Sequence, residues 1–382
     1  MRALLTLSLS LLPAAALCGQ TDSAPQAADA AAKAPAPVAD SAQFYFATYP
    51  DFLVQFDPVT DEVVRKIQFQ NGMPWSINLL HDNNRFAVVT DQRKKVEIID
   101  RRLGEVTSVH DFSEDGYIIR VRSIREIPGG KQWYVTLDRI KKELDRYKFE
   151  SAQYLLSDVE KQEVVKKLRR LPQALGRGAR ISPCGKYWHV FGRGGDLQIL
   201  DPESLDEVAK IDLSTPLFTG MPRLTIGRTD LFDGENPKMY RMLCTLSDKV
   251  QKNRTTWGYV DIDLENHKIG DLVEWGLGPS GWGTYVAKDA KRAVARGSSL
   301  RSSGDTHQQI VLYDLENGRK LREFSVEFRP RQSLSGISPD GSKVYIGGAG
   351  SDFMVYDADT LEKIRTVELD GELYGRIHVL DP

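Results

Sequence analysis

The sequence predicts an all-β chain, a seven-bladed β-propeller whose blades are four-stranded antiparallel sheets, on three observations. A strand-length apolar segment ending in aspartate recurs seven times, the copies stand 43, 58, 43, 62, 51 and 43 residues apart, and short turn signals separate them. A period of this size with four strands per unit marks a propeller, in which each sheet buries both faces against its neighbours around an axis.

The unit is plainest at residues 334–369. Ser338-Pro-Asp-Gly reads as a turn, because proline presets φ and glycine tolerates positive φ; it joins an inner strand at 334–338 to a strand at 343–347. A turn at 348–351, a third strand at 353–357, a turn at Asp357-Ala-Asp-Thr and a fourth strand at 362–369 complete the blade. The third-strand aspartates, Asp57, Asp100, Asp158, Asp201, Asp263, Asp314 and Asp357, anchor the copies. Each reads as a turn residue whose carboxylate accepts N–H bonds from the turn that follows.

In chain order, residues 1–19 carry one Arg, an apolar run and then Pro13-Ala-Ala-Ala, the layout of a secretory signal peptide, which directs the chain to the periplasm. The apolar run is too short for a membrane span. Two readings stay open at Cys18: a residue of the cleaved signal, or the lipidated cysteine of a lipoprotein, for which Leu17 is a poor preceding residue. Residues 20–42, rich in Ala, Pro, Asp and Ser, have little to bury and read as a flexible tether.

Residues 43–382 form a single domain, since blades do not stand alone. Phe44-Tyr-Phe-Ala-Thr begins the first blade at its second strand, and Gly375-Arg-Ile-His-Val-Leu is a surplus strand at the other end of the chain. The C-terminal strand is therefore expected to complete the N-terminal blade and close the ring.

The 51 basic and 53 acidic side chains nearly cancel, which gives no electrostatic basis for general nucleic-acid or anionic-membrane binding. Cys184 and Cys244 stand at non-equivalent places in blades four and five, so a disulfide or two buried free thiols both remain open. The predicted inner strands offer one mid-strand carboxylate, Glu126, against Arg125, Arg180, Arg223 and Arg376, a poor setting for the calcium of a channel-metal hydrolase. No HExxH or paired histidine spacing is present, no Cys-x-x-Cys-His haem-attachment motif and no Gly-x-Ser-x-Gly elbow. His189 lies in a strand and reads as packed, and Gly192-Arg-Gly-Gly reads as a turn because no helix follows it. The expectation is a chain with no catalytic, cofactor-binding or metal-binding residues of its own.

Blade geometry sorts the connections onto two faces. Turns after first and third strands are short and regular, so that face reads as mainly structural; the other face receives irregular segments at 138–153, 213–234 and 245–256, with Trp, Phe, Met and Arg in loops at 70–75, 275–282 and 328–331. Aromatic and Arg residues in long loops on a rigid scaffold are where partners bind. The interface candidates are Arg146, Tyr147 and Phe149 of the blade-three insertion, Trp75, Trp282 and Tyr285, and Arg329 and Arg331. For Trp75, Trp275 and Trp282, packing between blades is an equal alternative.

The runs 180–213 and 335–369 resemble the propeller (beta) subunit of bacterial quinohemoprotein amine dehydrogenase, in which an inner strand, a Gly-rich turn and a segment of the Tyr-Asp-Ala-Glu-Thr-Leu-Glu-Lys type recur, and more broadly YVTN-type propellers. The charged insertion Ile140-Lys-Lys-Glu-Leu-Asp-Arg-Tyr-Lys-Phe-Glu resembles that subunit's insertion at the corresponding place. The resemblance implies a periplasmic oxidoreductase complex that deaminates primary amines. Its tryptophan-derived quinone sits on a small subunit and its haem c on a di-haem cytochrome c subunit, and the propeller supports the small subunit. The Ala/Pro tether departs from that pattern and fits the alternative, a stand-alone or lipid-anchored binding scaffold.

Overall fold

Apolar residues in the central strands are buried on both faces rather than alternately, as sheets stacked against two neighbours require: Gln43–Thr48 is buried throughout, as is Trp188–Phe191. In the computed structural model the described residues are 42–127, 130–158, 161–168, 179–182, 184–191, 196–202, 204–213, 215, 224–230, 238–247, 255–277, 284–288, 291–296, 307–327, 333–348 and 350–382. Residues 1–41, which hold the expected signal, Cys18 and all but the last residue of the expected tether, therefore lie outside them, as do Gly192-Arg-Gly-Gly, Trp282, Arg329 and Arg331.

The described strands make seven antiparallel sheets, each with four blade strands. Blade one orders Leu373–Leu380, Gln43–Thr48, Phe52–Asp57 and Glu62–Gln68, and blade two Ser76–Leu79, Arg85–Thr90, Lys95–Asp100 and Glu105–Asp111. Blade three is Tyr117–Glu126, Gln132–Lys142, Gln153–Asp158 and Glu163–Leu168, with a short fifth strand, Tyr147–Phe149. Blade four is Ala179–Ile181, Trp188–Phe191, Leu197–Leu200 and Glu207–Ile211, and blade five Leu224–Asp230, Met239–Ser247, Thr255–Asp263 and Lys268–Leu277. Blade six is Thr284–Val286, Arg292–Arg296, His307–Asp314 and Arg319–Glu327, and blade seven Ser333–Ile337, Lys343–Gly348, Gly350–Asp357 and Lys363–Glu368. The seven-bladed ring expected from the repeats is thus the observed fold. The chain reverses within the expected turn 348–351, but more tightly than expected: Gly348 of one strand pairs with Gly350 of the next, with an irregularity between Gly347 and Gly348.

The C-terminal strand closes the ring, with Gln43 opposite Leu380, Phe44 opposite Val379 and Tyr45 opposite His378. Ile377 packs with Phe44, Phe46, Tyr345 and Phe353 between blades one and seven. The same seam holds a buried polar network: Tyr345 donates its hydroxyl to Asp61 at 2.8 Å, and Lys343 Nζ donates to Asp61 at 2.8 Å and to the carbonyl of Val59.

Each anchor aspartate holds its following turn. Asp57 Oδ1 accepts the Val59 N–H at 2.8 Å, Asp100 those of Arg102 and Leu103, Asp158 that of Lys161 and Asp201 that of Ser204. Asp263 accepts from Glu265 and Asn266, Asp314 from Asn317, and Asp357 from Asp359 and Thr360. These bonds hold the Asp263, Asp314 and Asp357 carboxyls below the ordinary carboxylate range, the side-chain amide of Asn266 or Asn317 leading in the first two and the Thr360 N–H in the third.

Neither described cysteine is bridged. Cys244 is buried, and burial, reinforced by Glu274, pushes its thiol up to about 12. Cys184 is exposed, against the expectation of two buried thiols, because it sits on the surface turn after the blade-four inner strand.

His189 is buried between blades four and five, its Nδ1 2.8 Å from the Tyr240 hydroxyl. Burial, with a smaller contribution from His267, pushes its pKa down to about 4. The unfolded chain takes up a proton here near pH 6.5 that the folded chain refuses, so stability is full above pH 6.5, falls as pH drops toward 4 and levels off below. This one group accounts for up to about 3 kcal/mol. Urea unfolding at pH 7 and pH 4.5 is expected to show a smaller loss for His189→Asn than for the wild type; equal losses would place the pH dependence elsewhere.

Candidate functional site

The blade-three insertion is not a loop. Tyr117–Glu126 and Gln132–Lys142 pair from Glu126 opposite Trp133 to Tyr117 opposite Lys141, with one irregularity between Val121 and Ser123, so the hairpin runs past the end of the blade. Tyr147–Phe149 folds back against Ile140–Lys142, and a turn closed by the Glu143 N–H to the Arg146 carbonyl at 2.9 Å caps the projection. Its root is fixed by Arg139, whose guanidinium lies 3.9 Å from the centre of the Tyr117 ring and donates to Glu150 at 2.7 Å and to Glu114 at 3.1 Å.

On this stiff projection the apolar side chains have no cover. Tyr147 is 63% exposed, Phe149 is 78% exposed, and Leu144 at the tip is fully exposed. Arg146 reaches only Glu143, at 2.8 Å, an exposed pair worth little to stability. Arg146, Tyr147 and Phe149 therefore come together on one hairpin, joined by Leu144, which sequence reasoning passed over as part of a charged run.

A second exposed aromatic surface lies where the chain enters blade two. Trp75 is 50% exposed, and Met73 is similarly bare. The Trp75 ring is covered on one side by Arg93, 4.7 Å from its centre, and its carbonyl accepts the Tyr374 hydroxyl. Arg93 Nε also donates to the Val121 carbonyl at 3.0 Å, linking this surface to the root of the projecting hairpin. Burial holds the Arg93 guanidinium below its ordinary value, and Asp138 opposes that shift.

The segment bearing Met73 and Trp75 is shaped by Glu97, a wholly buried carboxylate in the third strand of blade two. It accepts the N–H groups of Gln70 and Asn71 at 2.8 Å each, the Asn71 amide at 3.0 Å and the Thr90 hydroxyl at 2.8 Å. Sequence reasoning missed it, although a lone Glu in Val96-Glu-Ile-Ile is the available signal. Tyr285 is only partly exposed and packs on the apolar cluster between blades six and seven, apart from the hairpin. Trp275 lies in the strand Lys268–Leu277.

Among the described residues no group of three or more His, Cys, Asp or Glu side chains could hold a metal ion. No helix among them is long and apolar enough to cross a membrane.

The fold defines the chain as a seven-bladed β-propeller. No protein-family model matches the sequence, and no curated protein matches it. Among solved structures it is similar to the dihydro-heme d1 dehydrogenase NirN, at 14% identity over 89% of this chain and 76% of that one, with a TM-score of 0.49. It is similar also to hydrazine synthase of Kuenenia stuttgartiensis (15% identity, 75% of this chain and 77% of that one, TM-score 0.42) and to a protein of unknown function from Desulfotomaculum acetoxidans (11%, 90% and 99%, 0.46). At such identities nothing of those proteins' chemistry transfers to residues here.

Proposed function

We propose that this chain is a non-catalytic propeller subunit that holds a partner protein on the projecting hairpin of blade three. The observation that carries the reading is a strand-paired projection whose Leu144, Tyr147 and Phe149 face solvent, because an ordered projection with bare aromatic and aliphatic side chains is an interface awaiting its other half. Trp75 and Met73 extend that surface through Arg93. With the sequence resemblance, the partner is the quinone-bearing small subunit of a periplasmic amine dehydrogenase. A di-haem cytochrome c is then the second partner, and the quinone and haem c belong to those subunits.

The test is a tagged pull-down from the native periplasm, stained for haem and for quinone redox cycling. Both stains are expected; a propeller that comes down alone would replace this reading with a stand-alone or lipid-anchored scaffold. Tyr147→Ala and Phe149→Ala are each expected to weaken the complex about 30-fold, the equivalent of about 2 kcal/mol for an interface anchor. Both side chains are exposed, so the variants should melt with the wild type. Undiminished complex formation by the double variant would remove the hairpin from the interface.

A further inference from the structure

At the other end of blade three, the inner strands of blades two, three and four surround a cavity of about 400 Å³. Its wall includes Arg125, Arg180, Trp133 and Trp188, with Ile77, Leu79, Ile124 and Ile181 as apolar surface. Residues at the ends of inner strands and the starts of second strands build it, so it opens toward the short, regular turns. The face expected to be mainly structural thus carries the cavity.

Several donor groups of its wall are unmet. The indole Nε1 atoms of Trp133 and Trp188 are buried with no hydrogen-bond partner, and so is Arg125 Nε. Both tryptophans are 1% exposed. Arg125 donates one bond, from Nη1 to the Ile124 carbonyl at 2.8 Å. Among the described residues no carboxylate forms an ion pair with Arg125 or Arg180, and burial, reinforced by Arg180, pulls the Arg125 pKa down. An indole N–H and a guanidinium can only donate, so what satisfies them must be an acceptor. Two guanidiniums on the wall of one cavity favour negative charge beside them.

The other titratable groups of the wall do not supply it. Glu126, which also lines the cavity, is taken up by the His81 N–H, accepted at 2.7 Å, and burial raises its pKa. His81 Nε2 lies 3.3 Å from the Ser182 carbonyl, and Tyr240 is engaged with His189 and the Ile181 carbonyl. His378, from the closing strand, completes the set and adds no negative charge.

We propose that this cavity binds a small organic carboxylate, its oxygens taken by Arg125, Arg180 and the two indole N–H groups and its carbon body lying on Ile77, Leu79, Ile124 and Ile181. The volume suits a metabolite-sized ligand, and a guanidinium fork matches a planar carboxylate. The site stands apart from the docking hairpin, so either can fail without the other.

The experiment titrates the full-length mature protein with succinate, inorganic phosphate and butane-1,4-diamine, the last matching succinate in length but opposite in charge. Tryptophan fluorescence and melting temperature are read. Succinate is expected to change the emission and raise the melting temperature, with weaker binding at high salt, and the diamine to do neither. Arg125→Met and Arg180→Met are each expected to weaken succinate binding at least tenfold. Trp133→Phe, which keeps the packing and deletes one donor, is expected to weaken it severalfold. Phosphate binding without succinate binding overturns the carboxylate assignment; diamine binding, no response to either anion, or equal succinate binding by both arginine variants overturns the site.

Discussion

Deleting Tyr374–Pro382 is expected to abolish the cooperative unfolding transition rather than merely lower its midpoint. The deleted residues supply the inner strand of blade one, paired along Gln43–Thr48. Their loss strips Ile377 from the cluster of Phe44, Phe46, Tyr345 and Phe353, and Leu380 from that of Tyr45, Phe86 and Val88. Each lost buried aliphatic costs about 2–5 kcal/mol by analogy with large-to-small core substitutions. The bared N–H and C=O groups of an otherwise buried strand add to that. The total rivals the roughly 5–15 kcal/mol by which a folded domain is stable. The exposed Lys288 to Asp381 ion pair, also lost, contributes little. Differential scanning calorimetry checks this, since a truncated protein that melts in one sharp transition near the wild-type temperature would mean the ring does not depend on its closing strand. The point substitution Ile377→Ala should cost only the cavity term and keep a single transition, which separates loss of packing from loss of closure.

What was legible in the sequence followed the range of the interactions involved. The anchor aspartates were legible because their bonds reach two or three residues along the chain, as from Asp357 to Asp359 and Thr360. Closure was legible from the strand left over after the blades were counted. The blade-three hairpin looked like a loop because its outer part has no buried face: Lys141, Lys142, Tyr147, Lys148 and Phe149 are all exposed, so alternation gives no strand signal where both sides meet solvent. The axial cavity was half legible. The arginines at 125 and 180 argue against a cation, but the indoles that make the site donor-rich stand on the neighbouring second strands, eight residues further along in each case, where a Trp reads as packing. Trp282, Arg329 and Arg331 fall outside the described residues, while Tyr285, chosen for its aromatic ring, serves the core between blades six and seven.

Replacing Glu97 by Ala is expected to release the docking surface while leaving every exposed residue of it in place. Four donors converge on this carboxylate: two backbone N–H groups, an amide and a hydroxyl. A buried donor left without its acceptor costs about 1–3 kcal/mol, so with four donors the chain must either lose at least about 4 kcal/mol of stability or let residues 70–75 detach into water. Detachment is the easier route, because the segment lies at the surface and Met73 and Trp75 are already exposed. Hydrogen exchange at the Gln70 and Asn71 amides should then accelerate by orders of magnitude, and Trp75 emission should shift to longer wavelength as its packing on Arg93 loosens. Glu97→Gln retains one acceptor oxygen but turns an NH2 group toward donors, so its effect is expected to be about half as large. If amide exchange and urea stability in Glu97→Ala both match the wild type, Glu97 does not hold the segment. If exchange accelerates and partner capture falls while the Tyr147 hairpin is untouched, the Trp75 surface contributes to binding and Glu97 is the buried residue that positions it.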